Sequence, residues 1–309
     1  MRPTNQIIPE ETIQPFHRTI DYLALMKPEL TGLSVLTTLC GYYLASAGSF
    51  SVSRFILVAV STLLVGGGLG ALNQYIERHY DALMRRTEKR PLPAGRMLPA
   101  QAIWFGVIIL VSGIALMTIS VNILSGLLAS LISFTYLFLY TPLKRVTIWS
   151  TLVGAIPGAL PPVMGWAAAG GDISIGAWAL FAILFLWQMP HFYSLAWMYR
   201  RDYARAGFEM LTVGDENALQ TGRQVMFYTL ALIPVSVTLS IAGVTGWVYS
   251  MLAVVLGVAF ASYSYLVFRH SGASRNSSIP KVNQYSRQLF FASLVYLPAL
   301  MTMMIVDKK

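Results

Sequence analysis

Asn73, Glu77 and Asp81 recur at intervals of four within the stretch 73–96, NQYIERHYDALMRRTEKRPLPAGR. On a helix each step of four turns the chain by about 400°, so the three side chains form one slowly drifting stripe. Two carboxylates and an amide make an all-oxygen donor set, which suits a hard cation such as Mg²⁺. Arg85, Arg86, Lys89 and Arg90 follow at once, and guanidinium and ammonium groups suit phosphate oxygens. Acid to hold the metal, then base to hold phosphate, is what a metal–diphosphate requires. The same charges also fit a solvated, positive loop laced by i,i+4 pairs such as Asp81–Arg85.

A second constellation lies in 187–207, WQMPHFYSLAWMYRRDYARAG. Asp202 stands there beside Arg200, Arg201 and Arg205, with Tyr199 just before. His191 precedes Asp202 by eleven residues, about three helical turns, and is flanked by Trp187 and Gln188. A histidine inside an apolar helix is either a satisfied core residue or a functional group, and this placement above an acidic end supports the second reading as well as the first. Lys144, in the short YTPLKR loop 140–145, either helps bind an anion or fixes topology. Lys27 and Glu29 read as anchors at a membrane mouth, with a pocket role left open.

The elements that must position these groups are apolar. Of 309 residues, 56% are hydrophobic and 11% charged, under half the usual charged share of about 25% in soluble proteins. Segments 30–53, 55–76, 97–143, 146–171, 173–199, 224–268 and 288–306 contain no Asp, Glu, Lys or Arg. A spanning helix needs about 20 such residues, so the two longest runs each fold back as a helical pair. This predicts an all-α integral membrane protein with nine transmembrane helices, at about 30–49, 55–76, 102–120, 123–140, 148–168, 174–197, 226–243, 247–268 and 288–306. Residues 1–21 read as a polar arm and 22–309 as one membrane domain.

The net charge of +9 does not point to nucleic acid, because the bases are distributed by topology. With the N-terminus inside, the outer segments hold only Arg54, Lys308 and Lys309, and the other bases between spans fall inside. That asymmetry is the positive-inside pattern and puts both acidic helix ends on the cytoplasmic face. The single cysteine, Cys40, allows no disulfide framework. The first 20 residues have neither a secretory apolar core nor Arg-rich transit character, which favours a bacterial or archaeal cytoplasmic membrane. Gly66–Gly70 reads as a close-packing stripe. The Pro and Gly residues of 154–162 predict a break in the fifth span that either opens a pocket or serves packing.

A lipid-level cavity with a metal–diphosphate clamp at its mouth suits transfer of a prenyl group from a prenyl diphosphate. The apolar tail takes the cavity and the anionic head takes the charged mouth. A secondary transporter also has broken helices and intramembrane charge, but transporters place ionisable groups near the midplane, and here they cluster at one face.

N-x-x-x-E-x-x-x-D followed by R-x-x-x-R-P-L-P resembles the first motif of the UbiA-type intramembrane prenyltransferases. With W-Q-M-P-H-F and D-Y-x-x-A-G-x-x-M-L, over about 22–306, the chain closely resembles the protohaem IX farnesyltransferase branch. The resemblance implies a central cavity, farnesyl diphosphate and haem B as substrates, and Mg²⁺ as cofactor. A quinone-precursor or chlorophyll-type acceptor is the alternative within the superfamily. The implied catalytic and metal-binding residues are Asn73, Glu77, Asp81 and Asp202. Arg85, Arg86, Lys89, Arg90, Lys144 and Arg201 are implied for diphosphate. His191, Gln188, Tyr199, Arg200 and Arg205 are implied for haem, with His191 able to ligate iron or hydrogen-bond a propionate. Quinone-forming members carry more than one aspartate in the second motif, whereas this region offers Asp202 alone. Association with haem A synthase or terminal-oxidase assembly is a further implication.

Overall fold

The computed structural model describes residues 15–46, 48, 50–272 and 275–309. The first fourteen residues of the expected arm therefore lie outside the described residues, and from Pro15 the chain is helical. An amphipathic α1 (Pro15–Leu25) leads through a left-handed Lys27 (φ 49°) into α2 (Pro28–Ala45), which Pro28 opens. The long α3 (Val52–Asp81) is capped by the Ser51 hydroxyl, which accepts from Arg54 N–H. After a loop of turns come α4 (Pro99–Ser120) and α5 (Ile123–Phe134), the latter capped by Asn122. A π-helical segment, Thr135–Tyr140, carries α5 into α6 (Thr141–Leu143).

The fifth expected span is broken as its prolines and glycines predict. α7 (Ser150–Ala159) stops at Leu160 and α8 (Pro161–Gly170) starts on Pro161. α9 (Ile175–Met198) runs on through Pro190 and ends at Tyr199, so Asp202 lies in a separate short α10 (Arg200–Arg205). The short α11 (Leu211–Gly214) is followed by α12 (Leu219–Ile241), α13 (Trp247–His270) and α14 (Arg275–Val306).

Among the described residues, eight helical stretches are long and apolar enough to cross a membrane: Val52–Asp81, Pro99–Ser120, Ile123–Leu143, Ser150–Gly170, Ile175–Met198, Leu219–Ile241, Trp247–His270 and Ile279–Val306. They correspond to eight of the nine expected spans. The remaining one, 30–49, corresponds to α2, which packs in the bundle against α8 and α3 but carries Glu29 in its first turn. Exposed Trp104, Ile108, Val111, Phe138, Phe227, Val255 and Val295 form an apolar outer surface, the expected face toward lipid.

Glycine sets the closest contacts. A Cβ at Gly68 of α3 would lie 2.7 Å from Leu110 Cβ of α4, and one at Gly165 of α8 would collide with the Thr38 carbonyl of α2. The glycine stripe 66–70 is thus a packing device, as its place inside an apolar run suggests. These contacts draw α2, α3, α4 and α8 into one wall.

Candidate active site

The row Asn73–Glu77–Asp81 occupies the last turns of α3, and all three side chains are buried. Each meets a cation from another part of the chain or the following loop. Lys27 Nζ donates to Asn73 Oδ1 at 2.5 Å, Lys144 Nζ to Glu77 Oε1 at 2.7 Å, and Arg90 to Asp81 Oδ2 at 2.7 Å. Buried carboxylates are costly unless paired, and the fold supplies one partner per acid. Asn73 also donates to Thr141 Oγ1 at 3.3 Å, which ties the row to the end of the π-helical segment.

That segment aims Tyr136 and Tyr140, whose ring centroids are 5.5 Å apart. Lys144 follows one helical turn later and lies 4.4 Å from the centre of the Tyr140 ring. Burial works against the Lys144 ammonium, but attraction to Glu77 outweighs it and holds its pKa above the ordinary lysine value. Lys27 shows the opposite balance. Burial, helped by the charge of Arg90, pulls it down to about 7 against the pull of Glu77 and Asp81.

Lys27, Tyr136 and Tyr140 also line a cavity of about 260 Å³. Its other walls are mainly apolar and come from α2, α3, α5, α7, α8 and α9, including Leu30, Val65, Leu69, Ile132, Met164 and Leu184. Lys27, which bonds Asn73, therefore links the charged row to a greasy chamber. Gln188 and His191 line the same chamber from α9. Gln188 donates to Ala155 O at 2.6 Å, and a Cβ at Gly158 would strike its amide oxygen. Here the Gly-rich break of the fifth span makes room for a polar side chain.

α10 packs on the end of α3 without joining the row. Met84, Tyr203 and Phe208 share a small core with Tyr80 and Tyr199. Arg86 bridges to it, donating to Tyr203 Oη at 2.8 Å and lying 5.0 Å from the Tyr199 ring centre. Asp202 is paired with Arg205. Arg200 turns to Trp197 O and Asn283 Oδ1. Arg85, Lys89 and Arg201 are exposed. The structure thus joins Asn73, Glu77, Asp81, Arg90 and Lys144 in one cluster and Gln188 and His191 in the chamber. Arg86, Tyr199, Asp202 and Arg205 sit on the adjoining α10 surface.

Two participants escaped sequence reasoning. Lys27, read mainly as an anchor, is folded onto the row by its left-handed turn. Ser293 of α14, which carried no sequence signal, lies 2.8 Å from His191 Nδ1.

A divalent cation fits the row on two observations. Its donors are all oxygen, and Asp81 Oδ1 is buried with no hydrogen-bond partner. Among the described residues no three His, Cys, Asp or Glu side chains cluster closely enough to share an ion, so two carboxylates and the Asn73 amide are the donors the row offers. Asp202 does not stand in one such group with Glu77 and Asp81.

The profile of the UbiA prenyltransferase family matches residues 34–294. The protoheme IX farnesyltransferase of Solibacter usitatus is 42% identical over 297 residues, covering 93% of this chain and 98% of that one. The human protein named protoheme IX farnesyltransferase, mitochondrial, is 40% identical over 286 residues, covering 92% of this chain and 61% of that one. Among solved structures, one from work on the biosynthesis of digeranylgeranylglyceryl phosphate synthase in membranes aligns with TM-score 0.75 at 16% identity, covering 94% of this chain and 99% of that one. A UbiA homologue from Archaeoglobus fulgidus bound to DMAPP and Mg²⁺ aligns with TM-score 0.66 at 16% identity, covering 93% and 99%. Identities this low bear on the fold alone. A profile match over most of the length and full-length relatives near 40% carry the assignment: the chain belongs to the UbiA prenyltransferase family.

Proposed function

We propose that the chain transfers the farnesyl group of farnesyl diphosphate to a vinyl group of haem B, giving haem O and diphosphate. The observation that carries this reading is the row Asn73–Glu77–Asp81, each with a cation, joined through Lys27 to an apolar chamber that His191 also lines. Relatives near 40% identity bear the name of this activity.

The isoprenoid tail takes the chamber and the diphosphate takes the charged end. Asn73, Glu77 and Asp81 would hold Mg²⁺, which would supply charge neutralisation for the leaving diphosphate. Lys27, Lys144 and Arg90 are pre-placed cations that shift from the Asn73 amide oxygen and the Glu77 and Asp81 carboxylates to diphosphate oxygens as the substrate enters. Arg85, Arg86, Lys89 and Arg201 are surface bases that gather the anion, and Asp202 is assigned as an accessory acid. The allylic C–O bond breaks and its electron pair leaves with the diphosphate. Tyr136, Tyr140 and Trp187 present ring faces that stabilise the allylic cation, each by up to about 2 kcal/mol in a dry site. The vinyl carbon attacks, water adds to the resulting cation beside the macrocycle, and loss of a proton leaves a hydroxyl. Excluding water until the acceptor is in place avoids plain hydrolysis. Gln188, Tyr199, Arg200 and Arg205 are assigned to the macrocycle and its propionates.

The positive-inside pattern supports a site on the cytoplasmic face, in a bacterial or archaeal cytoplasmic membrane. The test is product mass. Proteoliposomes given Mg²⁺, farnesyl diphosphate and haem B are expected to yield the hydroxyethylfarnesyl haem with diphosphate release. Prenylation of a phenolic acid in preference to haem B would reassign the acceptor. Absence of diphosphate release with every acceptor would remove transferase activity and favour a transporter.

A further inference from the structure

His191 is held more tightly than substrate stacking alone needs. Its ring stacks on Trp187, at 5.3 Å and 20°, and on Phe290, at 4.9 Å and 27°. Fully buried Ser293 contacts both Trp187 and His191 of this stack. Its carbonyl accepts from Trp187 Nε1 at 3.0 Å, and its hydroxyl oxygen lies 2.8 Å from His191 Nδ1. The same hydroxyl is 2.5 Å from the Phe290 carbonyl, to which it donates. A serine has one hydroxyl proton. With that proton on the Phe290 carbonyl, Ser293 Oγ can only accept from His191, so Nδ1 carries the ring proton. Nε2 is then an uncharged lone pair with no partner among the described residues, on a ring that borders the chamber.

We infer that Ser293 is a positioning residue that fixes His191 in the Nδ1–H tautomer, so that Nε2 serves as an axial ligand to the iron of the acceptor macrocycle. The inference rests on haem B being the acceptor. Metal-ligating histidines are oriented in this way, with the second ring nitrogen donating to a fixed acceptor that sets tautomer and direction. A histidine kept only for packing would need no free nitrogen at a cavity wall. Ligation ties the macrocycle at its centre, which leaves the edges bearing the vinyl groups free to meet the prenyl cation.

The test uses the full chain in detergent, titrated with ferric haem B and with metal-free protoporphyrin IX, followed by absorption and electron paramagnetic resonance. The native protein is expected to bind haem B more tightly than the metal-free ring and to show a nitrogenous axial ligand. His191→Gly is expected to lose that ligand signature and the preference for iron, and added imidazole to restore both. Ser293→Ala is expected to weaken haem binding by about 10- to 100-fold while leaving protoporphyrin binding unchanged. Ser293→Thr, which keeps a hydroxyl for the Phe290 carbonyl, is expected to recover it. Native spectra and native iron preference in His191→Gly would overturn the inference while leaving haem farnesylation standing. Failure of the native protein to farnesylate haem B would overturn both together.

Discussion

Lys144 Nζ lies 2.7 Å from Glu77 Oε1 with both side chains buried. The two residues are 67 positions apart, and the contact joins the end of α3 to the chain that leaves the π-helical segment. In the proposed reaction this contact exchanges, the carboxylate turning to the metal and the ammonium to the diphosphate.

Removing one member leaves the other buried and unpaired, which costs about 3–5 kcal/mol in proteins generally. Glu77→Gln and Lys144→Met are each expected to lower the melting temperature in detergent and to abolish farnesyl transfer. The double variant is expected to regain most of the lost stability and none of the activity. Recovery of activity in the double variant would show that the pair serves the fold alone.

Lys27 predicts a pH dependence. Its pKa is lowered from 10.5 to about 7, first by burial and then by Arg90. Below pH 7 it is an ammonium, and above pH 7 it becomes neutral. Binding of inorganic diphosphate is therefore expected to weaken as pH rises through about 7. Lys27→Arg is expected to flatten that fall, and the titration of the probe itself cancels in the comparison. For stability the sign is opposite. Between about pH 7 and 10.5 the unfolded chain binds the proton that folded Lys27 has lost, so this residue makes the fold more stable as pH rises across that window. Melting curves of the native protein and Lys27→Met, compared over the window, measure it.

Gly165 packs on the Thr38 carbonyl, so any Cβ there pushes α2 off α8. Overpacking of this kind costs about 1–3 kcal/mol or more. Gly165→Val is expected to reduce the folded yield in detergent, whereas Gly95→Ala, where nothing lies within 4 Å of the added Cβ, tests the separate cost of a left-handed backbone at φ 71°. Equal yields for Gly165→Val and the native chain would show that α2 and α8 can separate freely.

Much of this site was legible because it is local. Asn73, Glu77 and Asp81 share one helix, and helical periodicity alone aligns them. The prolines of 157–162 announced the break at Leu160. The partners were hidden because they are set by tertiary structure. Lys27 meets a residue 46 positions away and Ser293 one 102 positions away. The π-helical turn at Thr135–Tyr140 has no apolar period of its own to reveal it. Asp202 was expected to share the cation with Glu77 and Asp81; it lies past the helix end at Tyr199, paired with Arg205 and in no common ligand group with them among the described residues. In α2, Glu29 and paired threonines lower the apolar content of a helix that the bundle nevertheless surrounds with α3 and α8.

Metal removal gives the sharpest test of the row. Asp81 spends Oδ2 on Arg90 and leaves Oδ1 buried without a partner, an oxygen whose desolvation is offset only when a cation meets it. Asp81→Asn keeps the size and retains an oxygen but removes the charge, and Arg90 then loses its ionic partner. The variant is expected to insert in the membrane with native yield, to bind Mg²⁺–diphosphate at least 10-fold more weakly by calorimetry, and to lose transfer activity. Chelation of the native protein is expected to reproduce the activity loss reversibly, with Mg²⁺ restoring it. If Asp81→Asn binds Mg²⁺–diphosphate as the native chain does, the metal belongs elsewhere, and Asp81 is an acid kept to hold Arg90 and the loop that follows α3.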